Sequence, residues 1–144
     1  MSATTSDPML EAPEPVPDAD SAEFWEAARN GKLVISRCQE CQNWQHPPQE
    51  RCRKCGGAVA FEPVSGKGTI YSFILVRQAL VPGHKVPYVV AQVELPEQKG
   101  LRIVGVTQGD VEAVACDLPV EVVFGEPSSG GTRAPEFRLL NRTD

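Results

Sequence analysis

The chain is poor in the residues from which most active sites are built. It has two histidines, His46 and His84, among 144 residues. It lacks an HExxH pair, a glycine-rich phosphate loop, a serine nucleophile motif and a paired-carboxylate arrangement. Together these gaps argue against a self-contained active site, and no catalytic residue is expected in this chain. Long apolar runs are also missing: none approaches the roughly 18 residues that a membrane span needs. The N-terminus has neither the basic nor the apolar region of a secretory leader, so the expected location is cytoplasmic.

Positive charge is absent from residues 1–20, which hold Asp7, Glu11, Glu14, Asp18 and Asp20 together with Pro8, Pro13, Pro15 and Pro17. Such a stretch cannot bury enough apolar surface to order itself and reads as a disordered acidic tail. The formal net charge of −5 equals those five acids, so the remainder is balanced. Thirteen prolines and twelve glycines point to many turns and short strands, and so to a mainly β body with little helix.

After the tail, Asp20 or Ser21 is placed to cap a short helix, and Glu23 completes a capping-box pattern with Asp20. Phe24, Trp25 and Ala28 share one side of it, and Gly31 stands at the expected stop. From Thr69 the pattern turns to period two. Thr69–Val76 places Tyr71, Phe73 and Leu75 on one face; Tyr88–Leu95 does the same for Val89, Ala91, Val93 and Leu95. A turn at Pro96–Gly100 leads into Leu101–Thr107, with Leu101 and Ile103 facing one way and Arg102 the other. Asp110–Cys116 reads as a short helix capped by Asp110, followed by strands Pro119–Phe124 and Glu136–Leu140 around the loop Gly125–Ala134. Five strands with a short helix between the third and fourth follow the order of an OB-fold barrel.

The strongest chemical signal is the spacing Cys38-x2-Cys41-x10-Cys52-x2-Cys55. Two intervening residues let both thiolates of a pair reach one ion from a tight knuckle, and Gly56 and Gly57 permit the positive φ that such a turn often needs. Four sulfur ligands make a closed tetrahedral site that suits structural Zn2+ and leaves no position open for substrate. Iron held as in rubredoxin is the smaller alternative, because thiolates accept either metal. Cys116, alone in the run Val114–Leu118, reads as a small buried hydrophobe. His46 beside Pro47-Pro48 and His84 in the loop Arg77–Pro87 read as surface rings.

These elements in order resemble the acyl-CoA-associated zinc-ribbon/OB-fold family, long known as domain of unknown function family thirty-five. The stretches that carry the resemblance are Leu33–Cys41, Pro47-Pro48, Cys52-Arg53-Lys54-Cys55-Gly56, Ser65–Ser72 and Pro87–Ala91, within roughly residues 22–140. The sequence departs from the family pattern at His46 and Gln49, on either side of the Pro-Pro step, and at Asp117, where glycine is usual. After the compositional tail over 1–20, the resemblance implies a helix with a rubredoxin-like zinc ribbon over 21–60 and a five-stranded OB-fold barrel over 61–144. It also implies an accessory subunit, in a hetero-oligomer with a thiolase-like or aldolase-like protein. That partner would perform the catalysis, on an acyl-CoA whose thioester channel this chain helps to shape, in steroid or other side-chain degradation. Arg77 and Lys85, around the loop before Tyr88, are the candidate CoA contacts. The alternative is a single-stranded nucleic-acid-binding module, since ribbons and OB barrels both serve that purpose. The basic residues Arg29, Lys32, Arg37, Arg51, Arg53 and Lys54 favour it, and a sequence pI of about 5.1 opposes it.

Overall fold

The computed structural model describes residues 15–79 and 85–140; His84 and the first fourteen residues of the expected tail lie outside them. The chain is mainly β. One helix, α1 (Ala22–Arg29), precedes a three-stranded antiparallel sheet of β1 (Val34–Cys38), β2 (Trp44–Gln45) and β3 (Val59–Pro63), in the order β2-β1-β3. The remaining strands are β4 (Lys67–Val76), β5 (Tyr88–Glu94), β6 (Arg102–Thr107), β7 (Pro119–Phe124) and β8 (Pro135–Leu139). They close a barrel in the order β4-β5-β6-β8-β7, the five-stranded OB fold. No helix of the described residues is long and apolar enough to cross a membrane.

The start of α1 differs from the sequence expectation. Asp18, not Asp20, makes the reciprocal bonds: its Oδ1 accepts from Ser21 N at 2.8 Å, and Ser21 Oγ accepts from Asp18 N at 3.1 Å. The Ser21 hydroxyl is thereby turned back toward Asp18 and makes no bond to the helix it precedes. At the other end the chain reverses through Gly31 (φ 77°), with Gly31 N bonded to Ala28 O and Lys32 N to Ala27 O at 2.9 Å each. This is the Schellman pattern, and it turns Leu33 into the core.

The barrel interior follows the alternation of β5, whose Val89, Ala91 and Val93 are fully buried, together with Ile70, Ile103, Val120 and Phe137. The expected face of β4 is corrected. A β-bulge between Ile70 and Ser72 inserts one residue into the ladder with β5, so the phase of the strand changes there. Ile70 points inward before the bulge and Phe73 and Leu75 are half-buried after it, while Tyr71 is 51% exposed. On the outside its ring receives the Arg102 guanidinium 3.5 Å from the centroid, and Arg102 Nε is 3.0 Å from Glu94 Oε1. A hydrogen bond from Gly100 N and the neighbouring Arg102 hold the Glu94 carboxyl below its ordinary value.

Between β6 and β7 the expected helix contracts to a single 3-10 turn, Val111–Ala113, capped by Asp110 Oδ1 accepting from Glu112 N at 2.9 Å. The chain then leaves the core early, and Cys116 is exposed rather than buried. Val114, 8% exposed, packs inward, and Leu118 is half-buried against the core. Asp117 has φ 71°, a left-handed conformation that costs an L side chain energy and glycine none. Its N–H is committed to Ile70 O at 2.7 Å, so the backbone cannot relax away.

The barrel closes where β6 runs parallel to β8, pairing Val106 with Glu136 and Thr107 with Phe137. Gly105 makes this approach possible, since a Cβ there would lie 2.6 Å from Pro135 O and 3.0 Å from the Phe137 ring. Gly105→Ala is therefore expected to destabilise the chain by roughly 1–3 kcal/mol, read from denaturant unfolding. Asp117→Gly is expected to raise stability by about 0.5–1 kcal/mol in the same assay, because it removes the left-handed strain.

Candidate metal centre and the groove beside it

Cys38 ends β1 and Cys52 follows the isolated bridge Arg51–Ala58, so each cysteine pair hangs from one hairpin of the small sheet. The two knuckles repeat one another. Gln42 N bonds to Cys38 O at 3.2 Å, and Gly56 N to Cys52 O at 2.9 Å. Cys38 N bonds to Asn43 O, and Cys52 N to Gly57 O. The residue after each second cysteine is left-handed, Gln42 at φ 67° and Gly56 at φ 76°. Gly56 suits its position; Gln42 adopts the same backbone as a side-chain-bearing residue.

All four Sγ atoms lie within 4.8 Å of one another, the one such group of three or more metal-binding side chains found among the described residues. Cys38 and Cys55 Sγ are 3.5 Å apart, and Cys41 and Cys52 Sγ 3.6 Å. A tetrahedron of zinc–sulfur bonds near 2.3 Å has sulfur–sulfur edges of about 3.8 Å, so the donors stand close to ligand positions. Amides point at the sulfurs: Glu40 N and Cys41 N to Cys38 Sγ, and Lys54 N to Cys52 Sγ, each at 3.3 Å.

Protonation shows what the cluster needs. A hydrogen bond from the Cys55 amide, aided by Lys54 N, lowers the Cys52 thiol to about 6. At Cys55 the Gly57 amide favours the thiolate, but the surrounding sulfurs, Cys38 and Cys41 first, outweigh it and push the thiol up to about 12. The cluster thus favours anionic sulfur at one corner and resists it at another, and a thiophilic cation relieves that conflict. The donor set fits a closed four-sulfur site. His46 is not part of the group.

Two glutamines that the sequence pattern did not single out hold this unit in place. Gln45 is 1% exposed; its Nε2 donates to Arg51 O at 3.0 Å and its Oε1 accepts from Arg53 N at 2.9 Å, tying β2 to the second knuckle. Gln98, in the barrel's β5–β6 turn, accepts from Trp44 N at 3.0 Å and donates to Trp44 O at 2.9 Å, so it pairs with β2 as a strand would. Glutamine is normally a surface residue, and nothing local marks either as structural. Arg37 stacks over Trp44 at 4.7 Å and pairs with Glu62 at 3.3 Å, which occupies one of the ribbon's basic residues internally.

His46 departs from the expected exposed ring. It is largely buried, 5.5 Å from the Phe24 ring, which in turn meets Trp25 edge-on at 5.0 Å. Burial lowers its pKa, and Nδ1 has no partner among the described residues. Next to it Trp25, Pro48, Val104, Val106 and Pro135 line an apolar groove of about 380 Å³ between α1 and the β6–β8 seam. Arg77 and Lys85 stand exposed on either side of residues 80–84, which lie outside the described residues.

Comparison with known proteins gives a consistent picture. Residues 25–62 match the ChsH2 rubredoxin-like zinc ribbon domain, and residues 61–125 the ChsH2 C-terminal OB-fold domain. A probable enoyl-CoA hydratase alpha subunit of Thermomonospora curvata is 36% identical over 113 residues. The 3-oxo-4,17-pregnadiene-20-carboxyl-CoA hydratase alpha subunit of Mycobacterium tuberculosis is 34% identical over 116. Each match takes in 76% of this chain and 35% of the relative, so the chain spans about a third of the length of those subunits. The benzoylsuccinyl-CoA thiolase subunit BbsA of Geobacter metallireducens is 36% identical over 93 residues, 62% of this chain and 59% of that one. A chain of the Ltp2-ChsH2(DUF35) aldolase superposes with a TM-score of 0.80 at 34% identity, over 88% of this chain and 98% of that chain.

Replacing Cys52 by Ser is expected to abolish stoichiometric zinc in elemental analysis and to lower the melting temperature. Chelation of the wild-type chain should lower it too. Zinc affinity should weaken as pH falls, because protons compete for the same sulfurs, and zinc titration of the metal-free chain should release protons.

Proposed function

The chain belongs to the ChsH2 (DUF35) family of zinc-ribbon/OB-fold proteins, and from that premise we propose that it is the accessory subunit of a thiolase-like enzyme acting on acyl-CoA thioesters. One structural Zn2+ on Cys38, Cys41, Cys52 and Cys55 holds the ribbon; the ion supplies folding energy at a closed site. Catalysis resides in the partner. The observation that carries this reading is the likeness to the Ltp2-ChsH2(DUF35) aldolase chain, nearly the whole of which this chain spans. The thiolase subunit BbsA supports the same partner class from a separate relative.

The two hydratase subunits and the thiolase subunit are all named for CoA thioesters, and one of these is a pregnadiene carboxyl-CoA, a steroid. Retro-aldol cleavage in steroid side-chain degradation is accordingly the favoured reaction, with the aldolase as the model for the assembly. The hydratase names come from proteins of which this chain spans only about a third, and weigh less in the choice of partner.

The surface supports a subunit role. Val104 is 58% exposed and Ile74 62%, both β-branched and outward on the barrel wall, and Val104 continues into the groove beside Trp25. Apolar surface gathered in this way commonly marks a protein interface. Capture of the tagged full chain from native extract should recover a thiolase-like protein in stoichiometric amount. The isolated chain should not turn over acyl-CoA, and the captured complex should. Recovery of nucleic acid in its place would support the binding-module alternative. In the reconstituted pair, Val104→Asp is expected to weaken association about tenfold or more while leaving the melting temperature of the free chain nearly unchanged.

A further inference from the structure

A second cleft, of about 510 Å³, opens where the C-terminal end of α1 meets the barrel. Lys32 and Arg133 line it, and none of its lining residues is acidic. This is unusual in a chain with 19 acidic and 14 basic residues. Other half-buried arginines have carboxylates: Arg37 meets Glu62 and Arg102 meets Glu94. Arg133 is the half-buried arginine that has neither an ion pair nor a side-chain hydrogen bond among the described residues. Its charge is therefore available to an incoming anion, which a planar guanidinium can hold through two parallel hydrogen bonds.

The cleft is built rather than incidental. Arg29 Nη1 donates to Gly130 O at 3.3 Å, which fastens the loop carrying Arg133 to α1. Within that loop Ser128 Oγ accepts from Gly130 N and Thr132 N at 3.2 and 3.1 Å. Ser65 N is already taken by Glu97 Oε2 at 2.8 Å, so the two cations are the charged donors left to a ligand. The lining also includes the apolar residues Leu33, Val64, Val122 and Phe124. A cleft that combines two cations with aromatic and aliphatic residues suits a phosphorylated nucleoside, with phosphate for the guanidinium and the base for the apolar lining.

We propose that the cleft formed by Lys32, Arg133 and Phe124 binds the phosphorylated adenosine end of a CoA thioester. The choice of CoA as the source of that nucleotide rests on the function proposed above. It moves the CoA contact away from Arg77 and Lys85, which stand exposed outside this cleft.

The test is calorimetric titration of the zinc-loaded full chain, alone and in the captured complex, with adenosine 3′,5′-bisphosphate, adenosine 5′-monophosphate and inorganic phosphate. The bisphosphate is expected to bind at least about tenfold more tightly than inorganic phosphate, with an affinity that weakens as salt rises. Arg133→Gln and Lys32→Gln should each weaken it by about tenfold or more at unchanged melting temperature, and Lys85→Gln should leave it unchanged. Phe124→Leu should cost the bisphosphate affinity and spare that of inorganic phosphate. Absence of bisphosphate binding in both forms would overturn the proposal, as would wild-type affinity in Arg133→Gln. Equal affinity for phosphate and bisphosphate would reduce the cleft to a plain anion site and overturn the assignment. Tighter binding of a single-stranded oligonucleotide would overturn it in favour of nucleic acid. A chain that captures its thiolase-like partner yet ignores the bisphosphate refutes this inference alone. A chain that binds the bisphosphate yet captures no partner refutes the subunit reading and leaves the nucleotide site standing.

Discussion

Four sulfur atoms within 4.8 Å of each other set the condition that the N-terminal half of this chain has to satisfy. Sulfurs at that spacing repel once ionised and contribute little if left protonated. The hairpins that bring them together are short, and between residues 34 and 63 the buried side chains are Ile35, Ser36, Trp44 and Gln45 besides Cys38 and Cys52. A sheet this small does not bury enough apolar area to outweigh the entropy of its own loops. Amides aimed at the sulfurs offset part of this, and the proposed zinc ion at the centre would supply the rest. The two knuckles repeat each other's hydrogen bonds because both meet the same electrostatic demand.

The ribbon is coupled to the barrel through few but specific contacts. Gln98 reaches from a barrel turn and satisfies both backbone groups of Trp44, while Phe24 sets its ring against His46 from the helix side. Arg29 ties the same helix to the Gly125–Ala134 loop. Helix α1 therefore acts as a spacer between the ribbon and the barrel, and its two ends open different recesses. One recess is apolar and runs along the β6–β8 seam; the other carries two cations. Under the function proposed above, such a subunit would affect its partner's reaction by presenting one surface to a protein and another to a charged substrate group.

Much of this was legible in the sequence because it is written locally. The C-x2-C spacing is a property of one knuckle, and the alternation of Val89, Ala91 and Val93 survives because β5 runs regularly through the barrel. The Asp110 cap and the Gly31 stop are likewise short-range. What could not be read depends on distant neighbours. The bulge at Tyr71 exists because β4 must bend around a closed barrel, and no residue in Ile70-Tyr71-Ser72 announces it. Cys116 looks apolar in its run, but the shortened 3-10 turn takes it outside the core. His46 is buried by a helix from elsewhere in the chain, and the buried Gln45 and half-buried Gln98 take structural roles only because each finds two backbone partners. The cationic cleft joins residues about a hundred positions apart, and it exists only after the barrel has closed.

The row of bonds that closes the barrel is also its shortest. Two register pairs join β6 to β8, whereas six join β5 to β6. A cylinder sealed unevenly has a preferred line of rupture, and here that line runs along the floor of the apolar groove, through Val106 and Glu136. A molecule seated in the groove would lie across this seam like a bar across a door. Seating and sealing would then be one thermodynamic event, with the grip on the occupant and the integrity of the barrel rising and falling together.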